Sequence, residues 1–261
     1  MPNLPAAVLT LVAATCAVFA TSPPGPTSVP AAQDQVPEIL TRSRALYPTL
    51  KSYADTGVVT VERDGFTDHA RFTTAFREPT DFFFEYSAHT SVYATGQRVE
   101  NLTHLVLWMM KGELQRWDGA LKTHDVFPRE SGGQVGVLAS SGVGTESSAI
   151  LISSLIFVKA GIIGPVQEFV DATLAGEESV NGRRCSKVIG TARSVYPATG
   201  AVTNIRPMTV WIDAEHLLIL KVFEDTPKGY PAGSISRRTI TLKPQANIPL
   251  DDARFQYKVP G

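Results

Sequence analysis

Cysteine is scarce in this chain of 261 residues, which contains two, Cys16 and Cys185. Cys16 falls in an apolar segment that we interpret below as an export signal, so the exported chain keeps Cys185 alone. An internal disulfide is therefore excluded for the exported chain. Cys185, in "RRCSKVIGT", is predicted to be a small buried hydrophobe in a strand.

An excess of charge of either sign is also missing. The 24 basic and 25 acidic side chains give a formal net charge of −1. Proteins that bind nucleic acid or an anionic membrane surface through electrostatics carry a basic excess or a basic patch. This balance therefore does not support those functions, and we predict no nucleic-acid partner.

Motifs that carry catalytic or metal chemistry are absent as well. There is no Gly-x-Ser-x-Gly elbow and no Gly-Lys-Ser/Thr phosphate loop. The five histidines are scattered and lack the spacings that zinc sites use. The adjacent carboxylates Asp251-Asp252 and Glu224-Asp225 point to opposite sides of an extended chain, which favours duty in turns over acid–base catalysis. We predict no enzyme activity, no catalytic residue, no metal and no cofactor.

A hydrophobic run long enough to span a bilayer is missing too. The run Ala6 to Ala20, "AAVLTLVAATCAVFA", has 15 residues, whereas a helix needs ~20 residues to cross ~30 Å. It fits the apolar region of a secretory signal, although "MPNLP" before it carries no Lys or Arg. We interpret residues 1–20 as a signal peptide and residues 21–35, rich in Pro, Ser and Thr, as a flexible linker or leader.

Cys16 offers an alternative fate for this segment. "AATC", Ala13 to Cys16, is an imperfect form of the site at which bacterial lipoproteins are lipid-modified, and the linker after it would serve as a tether. Cys16 is therefore a candidate lipidation site. The predicted localisation is periplasmic or otherwise exported, with membrane anchoring through Cys16 as the alternative.

Two periodicities organise residues 36–261, which we treat as one domain. "DQVPEILTRSRALYPTLKSY" has helical spacing and predicts an amphipathic helix that Pro48 kinks or ends. From Tyr53 the period changes to two, with a hairpin turn at Asp64-Gly65. Further on, "SSAILISSLIFVKAG" predicts a mid-chain helix, although a buried strand also fits this apolar run. More strands follow Gly164-Pro165.

These elements predict an α+β fold. We expect a strongly curved antiparallel sheet, a half-open barrel of about ten or eleven strands, with an N-terminal helix and a mid-chain helix forming a lid on one side.

The stretch "MTVWIDAEHLLILKVFEDTP" predicts two strands that are apolar on both faces, joined by a turn at Asp213 to His216. A strand with one solvated face alternates apolar and polar residues, and these strands do not. Two helices give limited cover for ten strands, so the remaining apolar surface predicts a cavity, with a plain packed core as the alternative. The predicted lining residues are Phe82, Phe84, Tyr86, Leu107, Trp108, Met109, Leu151, Leu155, Trp211, Leu218 and Leu220.

Several motifs carry a resemblance to a known family. "MTVWIDAEHLLILKVFED" resembles a strand pair of the LolA-like superfamily, the periplasmic lipoprotein carriers and their relatives. "IPLDDARFQYKVPG" at residues 248–261 is similar to that family's closing segment, and "TTAFREPTDFFFEY" to its early strand pair. "TPKGYPAG" and "RPMTVWID" look like an uncharacterised bacterial subgroup, whereas the hairpin after Tyr93 departs from the carriers.

The resemblance implies a half-open barrel around a helical lid that holds acyl chains without catalysis. It places Arg77 where the family has a basic residue near the cavity mouth. The predicted function is an exported bacterial carrier of lipid or lipoprotein acyl chains in outer-membrane biogenesis, acting as a monomer, with a membrane protein as a further partner. The alternatives are an interaction or sensor module that docks a partner protein through its apolar face and, third, an exported hydrolase.

Overall fold

The computed structural model describes residues 36–63, 66–94, 97–128, 137–138, 148–195, 202–226 and 236–260. The predicted signal peptide and linker lie outside these residues, as do Cys16 and the Asp64-Gly65 turn. Most of the Gly/Ser-rich stretch 129–147 and residues 227–235 lie outside them too.

Antiparallel strands form the sheet, and they follow two successive meanders. The strands are β1 Ser52–Arg63, β2 Phe66–Arg77, β3 Asp81–Ala94, β4 Gln97–Met110, β5 Glu113–Asp118, β6 Thr123–Phe127, β7 Phe169–Val180, β8 Arg183–Val195, β9 Val202–Asp213, β10 Ile219–Glu224, β11 Ser236–Leu242 and β12 Gln245–Ala246. Their order is β6-β5-β4-β3-β2-β1-β11-β10-β9-β8-β7, and the two-residue β12 pairs with β1. The first and last strands of that order do not pair, so the sheet is open, and pairing of β1 with β11 joins the meanders. The predicted fold class is confirmed, with eleven strands in the main order and β12 as a twelfth.

Both predicted helices are present. α1 spans Glu38–Leu46 and runs into a 3-10 turn at Tyr47–Thr49, while α2 spans Ser148–Ile156. α1 ends just before Pro48 because proline has no N–H to donate and its ring clashes with the preceding turn. Among the described residues, neither helix has the length and apolarity needed to cross a membrane.

The sheet has two different faces, which strand alternation separates. The inner face carries an apolar cluster, here called the inner cluster, that runs across the sheet from β5 (Leu114) to β7 (Phe169) and takes in Leu40 of α1 and Leu151 of α2. A second group of apolar side chains, the outer cluster, lies on the other face of β2 to β5 and packs under the C-terminal segment Leu250–Val259. Its buried members are Ala75, Phe83, Val106, Trp108, Trp117 and Phe255.

Curvature of the sheet follows from the sizes of the parts. Eleven strands at ~4.8 Å spacing span roughly 50 Å. Each nine-residue helix is about 14 Å long at ~1.5 Å per residue. Two such helices cannot shield one face of a flat sheet, and sheets of this width curl. The sheet therefore curves around the helices, so that both meanders contribute to one inner cluster.

Candidate functional site

The eleven residues predicted to line a cavity are all buried, but they do not share one face. Ten belong to the inner cluster: Phe82, Phe84, Tyr86, Leu107, Met109, Leu151, Leu155, Trp211, Leu218 and Leu220. The eleventh, Trp108, lies in the outer cluster. Trp211 belongs to the inner cluster by its contacts, but it alternates with Val210 and Ile212 along β9, so its side chain points to the opposite face of the strand. The ligand-contacting role of all eleven stays a prediction.

α2 is buried on every side, which is unusual for a helix that covers a sheet. Eight of its nine residues are buried, and the ninth, Ile150, is partly buried against the inner cluster. The hydroxyl of Ser153 donates to the carbonyl of Ala149 at 2.6 Å, and that of Ser154 to Leu151 at 3.2 Å. Because these hydroxyls are satisfied within the helix, α2 presents an effectively apolar surface to its neighbours.

Aromatic rings join the end of α2 to the inner face of β2 and β3. The ring of Phe157 meets those of Phe76 and Phe82 edge-on, each at 5.5 Å between centroids. Phe72 and Phe84 stack at 6.0 Å on the neighbouring part of the same face. Edge-on ring pairs contribute about 0.5–1.5 kcal/mol beyond area burial. These rings hold α2 against the sheet through apolar contacts alone.

α1 fastens the chain that returns from α2. The guanidinium of Arg44 donates to the carbonyl of Val166 (Nε to O, 3.0 Å) and to that of Phe169 (2.8 Å). Burial lowers the pKa of Arg44, while Glu168 raises it in part. A Cβ at Gly164 would lie 2.1 Å from the Ser154 Oγ, so this turn approaches α2 as closely as a glycine permits. α1 therefore holds the chain that returns from α2, and the Gly164 turn packs directly against α2.

Arg77 fastens the C-terminal segment over the outer cluster. Its guanidinium donates to Asp81 at 2.7 Å, to Asp252 at 2.6 Å and to the carbonyl of Leu250 at 2.9 Å. It also lies over the ring of Phe255, 4.9 Å from the centroid. The hydrogen bonds to Asp81 and then Asp252 raise the pKa of Arg77. The role of Arg77 at a cavity mouth stays a prediction. Its contacts in the structure tie the C-terminal segment to β2 and β3.

Trp211 is shielded on the outer face by charged neighbours. Its indole N–H donates to Glu178 at 2.7 Å. The ammonium groups of Lys221 and Lys187 lie 4.4 Å and 5.6 Å from its ring centroid. Cations over an indole face are attracted by the ring quadrupole. This part of the apolar outer face is therefore covered by the aliphatic stems and charges of β7, β8 and β10.

A polar network around Asp55, which the sequence analysis did not predict, lies near the start of β1 on the inner face of the sheet. The Tyr53 hydroxyl donates to Asp55 Oδ2 at 2.6 Å, and the backbone N–H of Thr74 donates to Asp55 Oδ1 at 3.1 Å. Tyr47 packs 5.8 Å from Tyr53, and its hydroxyl accepts the N–H of Ile219 at 2.9 Å. A signal was present in the sequence, because Asp55 occupies an inner position of the period-two pattern, two residues from Tyr53 and four from Val59.

Burial dominates the electrostatics of this network. It raises the pKa of Asp55 to about 6, against the lowering effects of the bonds from Tyr53 and Thr74 and the charge of Arg254. It also raises the pKa of Tyr53, as does the neighbouring Asp55 carboxylate. Because burial disfavours the charged carboxylate, Asp55 gains or loses its proton at a pH of about 6, much closer to neutral than an exposed aspartate does.

A solvent-open cavity of about 660 Å³ lies beside Asp55. It is found where the β7–β8 turn meets the link between β11 and β12, with Asn181 Nδ2 donating to the carbonyl of Leu242 at 3.0 Å. The lining residues are Ala54, Asp55, Thr56, Asn181, Arg183, Leu220, Leu242, Lys243, Pro244, Gln245 and Arg254. Leu220 is the one predicted lining residue among them, and polar and apolar groups line this cavity together, where an apolar cavity was expected.

A second cavity of about 410 Å³ opens on the outer face of the other meander. Its lining includes Ile189, Thr209 and Phe223, which stand side by side on β8, β9 and β10. Ile189 and Ile205 are 41% and 40% exposed on this face. Within the described ranges, no three His, Cys, Asp or Glu side chains come together as metal ligands would, and the expectation of no metal stays a prediction.

The sequence matches no protein-family model and no curated protein. Among solved structures, this chain is similar to LprF from Mycobacterium bovis (15% identity, 85% of this chain and 94% of that one, TM-score 0.43). It is also similar to the lipoprotein LppX from Mycobacterium tuberculosis (13%, 82% and 98%, TM-score 0.42). A third similar structure is the MucA/MucB complex from Pseudomonas aeruginosa (14%, 84% and 60%, TM-score 0.42). With these identities and TM-scores, family membership stays a prediction from the sequence motifs.

Proposed function

We propose that this protein is an exported bacterial carrier that binds the acyl chains of a lipid or lipoprotein between the inner face of its sheet and α2. The observation that carries the proposal is a helix buried on all sides inside an open, curved sheet. Because apolar contacts hold α2 in the hollow of the sheet, an apolar ligand of similar shape can take its place. The resemblance of the closing segment and the strand pairs to LolA-like carriers supports the same function, the same compartment and the absence of catalysis.

Movement of α2 is the proposed route of entry. If α2 and Phe157 turn away from β2 and β3, the rings of Phe76 and Phe82 become available to a hydrocarbon chain. Each buried methylene contributes about 0.8 kcal/mol, so ten methylenes give on the order of 8 kcal/mol before the costs of binding. The hydroxyls of Ser153 and Ser154 stay bonded within the helix during this movement. The hydrogen bond from the Gln167 side-chain amide to the carbonyl of Ser154 is the polar contact that α2 has to break, or carry with it, when it moves.

Binding of a fluorescent fatty acid tests this proposal directly. Purified protein should bind dansyl-undecanoic acid saturably with one-to-one stoichiometry, and palmitate should displace the probe. Leu155→Trp should weaken binding because the larger ring fills space beside the sheet, whereas Leu121→Trp, at an exposed turn position, should not. Leu155→Ala, which removes volume at the same site, should shift the preference towards longer chains.

The two Leu155 variants act in opposite directions, so a loss of folding cannot imitate the expected pattern. Extraction of the protein followed by mass spectrometry gives an independent readout of co-purified lipid. Absence of saturable probe binding in the wild type, together with extracts free of lipid, would rule out the carrier function.

A protein-docking module is the second candidate, and the outer face favours it. The C-terminal segment covers the outer face of β2 to β5, but the described part of the chain places no such segment over Ile189, Ile205 and Phe223. Apolar surface that is left exposed in this way marks interaction sites when it is contiguous. Ile189→Asp should abolish partner capture if this face docks a protein, and it should leave fatty-acid binding unchanged.

A further inference from the structure

The cavity beside Asp55 carries an unbalanced set of charges. Three cationic side chains line it, those of Arg183, Lys243 and Arg254, against one carboxylate, that of Asp55. Both oxygens of Asp55 already accept hydrogen bonds, from the Tyr53 hydroxyl and the Thr74 N–H. The carboxylate feels the charge of Arg254, but its hydrogen bonds go to Tyr53 and Thr74, and with three cations against one carboxylate the cavity keeps a positive excess.

The three cations differ in how they are engaged. Arg183 forms an ion pair with the buried Asp213, and its guanidinium also reaches the carbonyl of Pro244 at 3.4 Å. Lys243 and Arg254 are exposed and form no ion pair with any residue that the structure describes. Lys243 is fixed through its backbone, whose N–H donates to the carbonyl of Thr56 at 2.9 Å. Arg254 is fixed in the same way, because its N–H donates to the Asp251 side chain at 3.1 Å.

Two sequence-distant elements bring these cations together. Lys243 lies in the link between β11 and β12, and Arg254 lies in the 3-10 turn Asp252–Phe255 that Phe255 anchors in the outer cluster. β12 continues the register of β11 along β1, so the link holds Pro244 opposite Asp55. Both backbones are thus held in place while their charged ends remain unpaired at the same opening. A volume of about 660 Å³ falls within the ~300–1,000 Å³ of small-molecule sites.

We propose that this cavity binds the phosphate or carboxylate group of a small anionic ligand through Lys243 and Arg254. Leu220 and Leu242 also border the cavity, and they are fully buried members of the inner cluster. The site is therefore amphipathic, with cations at the opening and apolar side chains below them. It does not depend on the acyl-carrier function, because the anion contacts lie outside the space beneath α2.

Calorimetric titration of the full chain with three probes tests the site. The probes are sodium phosphate, octyl phosphate and the uncharged octyl glucoside. Binding of both phosphates indicates a site for a free anion, and binding of octyl phosphate alone indicates a site for an anionic head group; either result supports the proposal. Octyl glucoside that binds as tightly as octyl phosphate, or no heat with either phosphate, overturns it.

Charge variants make the assignment specific. The double variant Lys243→Gln with Arg254→Gln should weaken phosphate or octyl phosphate binding on the order of tenfold or more, since each exposed cation contributes a short-range attraction to the anion. The matched control, Arg71→Gln with Lys159→Gln, removes two exposed cations from outside the cavity and should bind as the wild type does. Added salt should weaken binding to the wild type more than to the double variant. Equal affinities of the double variant and the wild type would overturn the proposal.

Discussion

Replacing Asp55 with asparagine should change how the stability of this protein depends on pH. Asp55 is 3% exposed, and its carboxylate accepts two hydrogen bonds without an ion-pair partner among the described residues. Asparagine has the same shape as the protonated carboxyl group. Its Oδ1 can accept the Thr74 N–H, and its Nδ2 can donate to the Tyr53 hydroxyl oxygen.

The magnitude follows from the pKa of Asp55, which burial raises from 3.8 to about 6 in the folded protein. The folded state then binds the proton more tightly than the unfolded chain does. This preference contributes fully below pH 3.8 and is lost as the pH rises through about 6. At about 1.36 kcal/mol per pKa unit, the lost stability is roughly 3 kcal/mol. The Asp55→Asn variant, which cannot ionise there, should keep its stability over the same range.

Urea unfolding followed by tryptophan fluorescence measures this difference, since Trp108, Trp117 and Trp211 are all buried in the folded chain. The free energy of unfolding of Asp55→Asn minus that of the wild type should rise by about 2.4 kcal/mol between pH 4 and pH 7.5. The exposed control Glu215→Gln should follow the wild-type profile. A difference between Asp55→Asn and the wild type that stays constant with pH, or falls as the pH rises, would refute this reasoning.

Three further substitutions test the packing. Leu155→Ala should lower the free energy of unfolding by about 2–5 kcal/mol in urea, because a fully packed leucine leaves a cavity; a loss under ~0.5 kcal/mol would mean that α2 is loosely packed. Gly57→Ala should lower the free energy of unfolding by about 1–3 kcal/mol, since a Cβ there lies 2.1 Å from the Phe72 ring. In a double-mutant cycle, Gly57→Ala should lower the free energy of unfolding much less when Phe72 is already alanine. Arg77→Gln should speed amide hydrogen exchange across residues 250–259 while Arg71→Gln does not; equal exchange in both would show that Arg77 does not hold this segment.

Local pattern was sufficient to predict the elements. Period two around Phe82 to Tyr86 correctly separated these residues from Phe83, because successive side chains of a strand point to opposite faces. Helical spacing and Pro48 predicted α1 and its end, and the length of the apolar run correctly favoured a helix for α2. The order of these elements predicted the curved antiparallel sheet, whereas the cavity predicted from the excess of apolar strand surface stays a prediction.

The same pattern could not show what lies over each face. Trp108 and Trp211 were grouped with the inner residues because their strands are apolar on both sides, yet the structure covers Trp108 with the C-terminal segment and Trp211 with two lysines and Glu178. The cationic cavity was also missed, since Lys243 and Arg254 belong to different elements.

The sequence by itself determined which residues share a face of a strand or helix, because that depends on backbone geometry over a few neighbouring residues. The tertiary structure alone decided which distant segment covers a face. Arg77 meets Leu250 and Asp252 across more than 170 residues, and Asp55 lies opposite Pro244 through pairing of strands from the two meanders. Such contacts form only when the chain closes long loops, and no local periodicity records them.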